Sequence, residues 1–234
     1  MTADEFLDRL DHLREALVQQ GQRVGQMIED SFEILFDLDV AGAAGIDARD
    51  DEVDRVDMDI ECACVSLLAD AAAAVVRIED ADIRAVLTVA KVNNELERIA
   101  DSAQRIAEQV EAFKRFGAPL PPTLRVMTNS VIGIMRDTCR AIARDDAELA
   151  RIVLQSEDTV EHFAAAMLRE ADEQSVSGGL PLEFVFQLHV AAHACAVMAD
   201  HATNIAEQII YARTGAIVRH CEEGWRDVAV KRGG

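Results

Sequence analysis

The chain reads as an all-α protein made of two tandem antiparallel three-helix bundles, and three observations predict it. The stretch ELERIADSAQRIAEQV (Glu95–Val110) returns as ACAVMADHATNIAEQI (Ala194–Ile209), with Ala, Asp, Ala, Ile, Ala, Glu and Gln in the same places. A period near half the chain marks a duplicated supersecondary unit. Half of the residues are apolar while aromatics are only 4%, a balance that suits closely packed helices better than the β-branched and aromatic faces of sheets. Finally, apolar residues recur at helical steps through six long segments.

Each element follows from the chain in order. Phe6, Leu10, Leu13, Leu17, Val24, Met27, Ile28, Phe32 and Leu35 recur at steps of three, four or seven and predict a first helix over Ala3–Leu38. After a break near Asp37 and Asp39, a second helix is expected from Asp47 onward, with Val53, Val56, Ile60, Cys64, Leu67 and Leu68 on one side; Gly42 and Gly45 weaken any earlier turn. A connection at Val75–Ala81 leads to a third helix, Ile83–Phe116. Gly117 and the cluster Pro119-Leu120-Pro121-Pro122 then break the chain, placing a module boundary there. The first module is thus 1–118, the second 119–216, and 217–234 forms a tail expected to be mobile in part. Helices four, five and six are expected at Thr123–Arg144, Glu148–Gln174 and Leu182–Arg213, the last closed by Thr214-Gly215 as a glycine cap would. Short connections between long helices give antiparallel bundles. The duplication also reaches other helices: VGQMIEDS (Val24–Ser31) matches IGIMRDTC (Ile132–Cys139), and DDEVDRV (Asp50–Val56) matches EDTVEHF (Glu157–Phe163).

The 43 acidic against 23 basic residues give a formal net charge of −20, and no stretch gathers Lys and Arg into a phosphate-neutralising patch. Nucleic acid and anionic membranes are therefore poor partners. No run of about 18 uninterrupted apolar residues marks a membrane span, and the start MTADEFLDRLDHLREAL is charged from its third residue. A cytoplasmic, unexported protein is expected. Cys62, Cys64, Cys139, Cys195 and Cys221 are odd in number and lack CxxC spacing, so they read as small core residues of a reducing compartment.

Carboxylates carry the chemistry. Asp50 with Asp54, Glu97 with Asp101 and Glu157 with Glu161 sit at i, i+4, one turn apart on one face, whereas the fourth pair is reduced to Ala196 and Asp200. Random placement of 43 acids in 234 positions would yield about eight such pairs, so spacing alone says little. Placement at corresponding points of two copies, beside small apolar residues rather than lysines, says more. Such oxygen donors suit Mg²⁺, Mn²⁺, Ca²⁺ or iron rather than a thiolate-held structural zinc. In copy two, His189, His193, Asp200, Asn204 and Glu207 share a face with Ala196. Either the histidines compensate for the missing glutamate in a mixed site for iron or zinc, or that copy has lost its metal and they are satisfied polar residues inside the bundle. No Gly-rich phosphate loop, GxSxG, HExxH or CxxC is present, and the ExxH repeats of di-iron bundles are missing too.

ELERIAD (Glu95–Asp101), with DADIRAVLTVAKVNNELERIAD upstream and ADHATNIAEQIIYARTGAIVRH (Ala199–His220) later, resembles the PhoU family of phosphate-signalling regulators over about Val24–His220. The resemblance implies a non-enzymatic negative regulator that links a phosphate ABC transporter to a sensor histidine kinase, often as a homodimer. It implies metal ions on E/D-x-x-x-D motifs, iron or zinc foremost with Mn or Mg as alternatives, held by Asp50, Asp54, Glu97 and Asp101 in copy one and Glu157, Glu161 and Asp200 in copy two; His193 joins from the stripe above. Copy two departs from the family's L-E-R-I-G-D, reading Cys195-Ala196-Val197-Met198-Ala199-Asp200. Two rival readings stand beside this one: a metalloenzyme using His189, His193 and Asp200, which needs those rings to face helix five, and a metal-free helical adaptor.

Overall fold

The computed structural model describes residues 1–221 and 224–228, with side chains described except at 157, 219–221 and 224–228. Helix α1 (Ala3–Asp37) starts at a reciprocal cap: Thr2 Oγ1 accepts the Glu5 amide at 3.2 Å while Glu5 Oε2 accepts the Thr2 amide at 2.7 Å. Leu38, in the left-handed region at φ 52°, ends it. Asp39 then caps a single turn, α2 (Val40–Ala43), through the Ala41 amide, where the sequence predicts only weakened helix. Next come α3 (Ile46–Ala73) and α4 (Asp80–Glu108). The expected third helix is interrupted at Gln109, whose amide bonds the Ile106 carbonyl three residues back, so that Val110–Phe116 forms a separate α5 ending on Gly117 at φ 64°.

The second half repeats the plan with one difference. Helix α6 (Pro122–Arg144) carries Pro122 at its first position, where a missing N–H costs nothing. The expected fifth helix is two: α7 (Ala147–Leu154) and α8 (Glu157–Val176). Gln155 and Ser156 bond the Ile152 and Val153 carbonyls in three-residue turns, and Ser156 Oγ turns back to the Ile152 carbonyl at 3.1 Å, which takes the ladder away from an α-helix. Helix α9 (Leu182–Thr214) closes on Gly215 at φ 71°. Beyond it, where a mobile tail is expected, Ile217–Cys221 (β1) and Gly224–Val228 (β2) pair antiparallel, Ile217 opposite Val228.

Helices α1, α4, α6 and α9 form the centre, with α3 against α1 and α4, and α7 and α8 against α6 and α9. The α4 and α9 pairing is the most extensive between any two elements, so the three-helix halves share one continuous core. Small side chains allow that approach: Ala100, Ala103 and Ala107 on α4, and Ala191, Ala194, Ala199, Ala202 and Ala206 on α9, are buried. Larger residues fill the layers between, among them Leu10, Met27, Leu35, Leu96, Ile99, Ile106 and Leu124. Truncating such a leucine costs about 2–5 kcal/mol, far more than solvent-screened ion pairs such as Arg9–Asp70 contribute. Packing therefore decides the fold. By length and composition α9 is apolar enough to cross a membrane, contrary to the sequence expectation that no segment qualifies. Half of that apolar window is buried, in the packing of α9 against α4, α6, α7 and α8, as a core helix of a bundle requires.

The cysteines divide by burial. Cys64 and Cys195 are buried and Cys139 half-buried, while Cys62 is exposed and Cys221 lies outside the described side chains. Burial pushes the thiol of Cys64 up to about 11 and those of Cys139 and Cys195 up to about 12. Because the thiolate is the nucleophile, a C221S background is expected to react with iodoacetamide at Cys62 at least tenfold faster than at the other three; peptide mapping after a short pulse reads this, and equal labelling of Cys195 would contradict the packing.

Candidate functional site

Where α3 and α4 cross, their acidic faces meet. Asp50, Asp54 and Asp57 lie on one stripe of α3, each within a turn of the next, and Glu97 and Asp101 on one stripe of α4. Asp50 is buried, 7% exposed, and its Oδ1 has no hydrogen-bond partner. Burial pushes its carboxyl from 3.8 up to about 6, with Asp54 and then Asp101 adding repulsion. Asp54, exposed, is raised by desolvation and by Asp101. Glu97, half-buried, is raised by desolvation, then by Asp101, Asp54 and Asp57, with Arg98 opposing. These four carboxylates share one field.

Two of the basic groups nearby are committed elsewhere. Arg49 pairs with Asp30 on α1, and Arg23 with Glu52 at 3.1 Å. Among the described residues no Lys or Arg forms an ion pair with Asp50, Asp54, Glu97 or Asp101. Polar struts fix the crossing instead. Asn93 Nδ2 donates to Asp57 Oδ1 at 2.6 Å and to its carbonyl at 3.0 Å, Gln104 Nε2 to Asp47 Oδ1 at 3.2 Å, and Gln20 Nε2 to the Val53 carbonyl at 2.8 Å. An anionic, partly desolvated patch whose acids have no ion-pair partner among the described residues attracts cations, and its oxygens are hard donors. Among the described residues, however, no three His, Cys, Asp or Glu side chains are gathered as a metal site requires.

Among the described residues copy two shows no buried carboxylate like Asp50 at the corresponding positions. Glu161 and Asp200 are exposed, and the Glu157 side chain lies outside those described. His193 is exposed. His189, expected inside the bundle if not a ligand, is also exposed, and its Nε2 lies 3.1 Å from Asp172 Oδ1 on α8. His189 thus reaches across to α8 while His193 stands exposed, and among the described residues no three His, Cys, Asp or Glu side chains gather around them.

Two participants escape the sequence reading. Asp57 sits seven residues after Asp50, a spacing that places it on the same stripe and was available in the sequence. The second is a clasp between the halves, in which His201 Nδ1 lies 2.6 Å from Glu95 Oε2 and Asn204 Nδ2 donates to the same oxygen at 3.3 Å. Comparing the copies hides it, since Ser102 and Ala194 replace its two ends.

The PhoU domain family model matches residues 17–110 and 124–209. The chain is 28% identical over 220 residues, covering 93% of it and 89% of the relative, to the phosphate-specific transport system accessory protein PhoU homolog of Pseudomonas aeruginosa. It is 27% identical over 189 residues to the homolog of Aquifex aeolicus, covering 77% and 83%. Among solved structures, PhoU of Pseudomonas aeruginosa superposes with a TM-score of 0.82 at 27% identity, over 90% of this chain and 99% of that one. The phosphate transport system regulatory protein PhoU of Streptococcus pneumoniae gives 0.84 at 22% identity, over 92% and 99%, and shows the fold alone. Two helical halves that each match one domain model, with an acidic face at the signature helix of the first, make this chain a member of the PhoU family.

Proposed function

We propose that the protein is an accessory regulator of a phosphate transport system, acting by contact rather than turnover. Its relatives along nine-tenths of the chain are named as transport-system accessory proteins. On this reading the protein works in the cytoplasm as a homodimer, contacting a phosphate transporter component and a sensor histidine kinase.

The α3–α4 face is its cation-responsive part. The observation that carries this is Asp50, a buried carboxylate with one orphaned oxygen among three other acids and no paired base. A buried charge left unpaired costs several kcal/mol unless something offsets it. Asp50, Asp54, Glu97 and Asp101 fit a hard or borderline cation such as Mg²⁺, Mn²⁺ or iron, which would neutralise the patch and tie α3 to α4; side-chain rotation must gather them around it.

Deleting the gene in its source organism tests the role. Phosphate uptake during growth in excess phosphate is expected to rise several-fold and to be restored by the wild-type gene, but not by the double variant Glu97→Ala, Asp101→Ala. Unchanged uptake after deletion would remove the assignment, and full rescue by the double variant would remove the cation from it.

A further inference from the structure

The halves differ sharply at the two ends of the α4 and α9 pairing. At one end Phe184, fully buried, is packed edge-on by Phe113 and Phe116, with ring centroids 5.4 and 6.1 Å away. At the offset that relates Asp101 to Asp200, the other end has Ala85 for Phe184, Ala212 for Phe113 and Gly215 for Phe116. Three rings are missing there, and a cleft of about 560 Å³ lies in their place among α1, α4, α6 and α9. Small-molecule sites have volumes of roughly 300–1,000 Å³.

The lining is mixed. Leu17, Val18, Val89, Val92, Ile142 and Ile209 give an apolar floor. Two polar groups in the wall lack partners: Arg84 Nε and Thr88 Oγ1 are both buried and unbonded, and Thr88 is only 9% exposed. A buried donor without an acceptor is costly, and native proteins rarely leave one. Arg14 and Arg213 also border the cleft, but they face Asp11 at 2.8 Å and Asp145 at 3.4 Å. Among the described residues Arg84 has no ion pair, and its guanidinium lies over the cap of α9, where a Cβ at Gly215 would come within 3.8 Å of its Cζ. The cleft uses the face of α4 turned away from Glu97 and Asp101, so it is independent of the acidic patch.

We propose that this cleft binds a small amphipathic anion, with a carboxylate or phosphate head on Arg84 and Thr88 and an apolar body on the valine and isoleucine floor. Bound there, the ligand touches helices of both halves and fixes their packing. A binding site at the seam gives the protein a metabolite input separate from any cation on α3 and α4.

The test titrates the intact chain with hexyl phosphate, hexanoate, hexanol and inorganic phosphate, following heat of binding and thermal stability. One or both amphipathic anions are expected to bind one per chain, at least tenfold tighter than hexanol or inorganic phosphate; which head wins distinguishes a phosphomonoester from a carboxylic acid. Arg84→Ala should weaken the preferred anion about ten- to hundredfold, as losing a charge-assisted hydrogen bond does, and leave hexanol unchanged. Ala85→Phe, which restores the ring present at the other end, should abolish binding while circular dichroism stays wild-type. Binding that survives Ala85→Phe, inorganic phosphate matching hexyl phosphate, or no binding by any probe would each overturn the proposal. Should Ala85→Phe fail to fold, Thr88→Val with Arg84→Ala decides in its place.

Discussion

Asp50→Asn is expected to stabilise the metal-free protein by about 2 kcal/mol, raising its melting temperature by roughly 5 °C. The carboxyl titrates at about 6 in the folded chain against 3.8 when free, because burial and the charges of Asp54 and Asp101 oppose its ionisation. A folded value above the unfolded one means that the folded state holds its proton more tightly. Stability therefore falls as pH rises between those values, and the penalty is complete above about pH 7. Asparagine keeps the shape, removes the charge and gives amide hydrogens to the neighbouring carboxylates. In chelator-treated samples, wild type should accordingly gain stability on acidification from pH 7 toward 5 relative to the variant, with the two curves converging near pH 4. With Mg²⁺ or Mn²⁺ added, wild type should recover at neutral pH more than the variant does. Thermal melts across this pH range read all three effects. A variant less stable than wild type at pH 7 in chelator would mean that the carboxylate is satisfied, and the argument for a cation would lose its footing.

How much of this was legible beforehand depends on the kind of pattern involved. The six long segments were visible because apolar positions repeat along the chain, and the acidic stripe of α3 and α4 because i, i+4 spacing is a local property. The breaks at Gln109 and Gln155–Ser156 were not, since neither Gly nor Pro marks them and each rests on a few backbone hydrogen bonds. The burial of Asp50 was equally hidden: Asp50 and Asp54 look alike in the sequence, and the helices packed around α3 leave one buried and the other exposed. Copy two misled for a related reason. His189 and His193 share a stripe with Asp200, but whether a stripe faces a neighbour or water is set by the partner helix. The clasp of Glu95 with His201 joins residues on different halves, and no spacing rule reaches that far.

Phe184→Ala should be among the most damaging single truncations in the molecule, at about 3–5 kcal/mol. The ring is fully buried and makes edge-to-face contacts with both Phe113 and Phe116, so the loss combines transfer, cavity and aromatic terms. A melting temperature lower by roughly 10 °C is expected for a chain of this length. The surroundings have little freedom to collapse into the gap, because Phe113 is itself fully buried. Ala85→Phe, the reverse exchange at the related end, should change stability by less than about 1 kcal/mol, since the ring enters space already open. The asymmetry of the two substitutions separates a packed end from an open one. If both are equally destabilising, the space beside Ala85 is not available to a side chain or to a ligand; if Phe184→Ala is mild, the aromatic end is looser than its geometry implies and the difference between the halves vanishes.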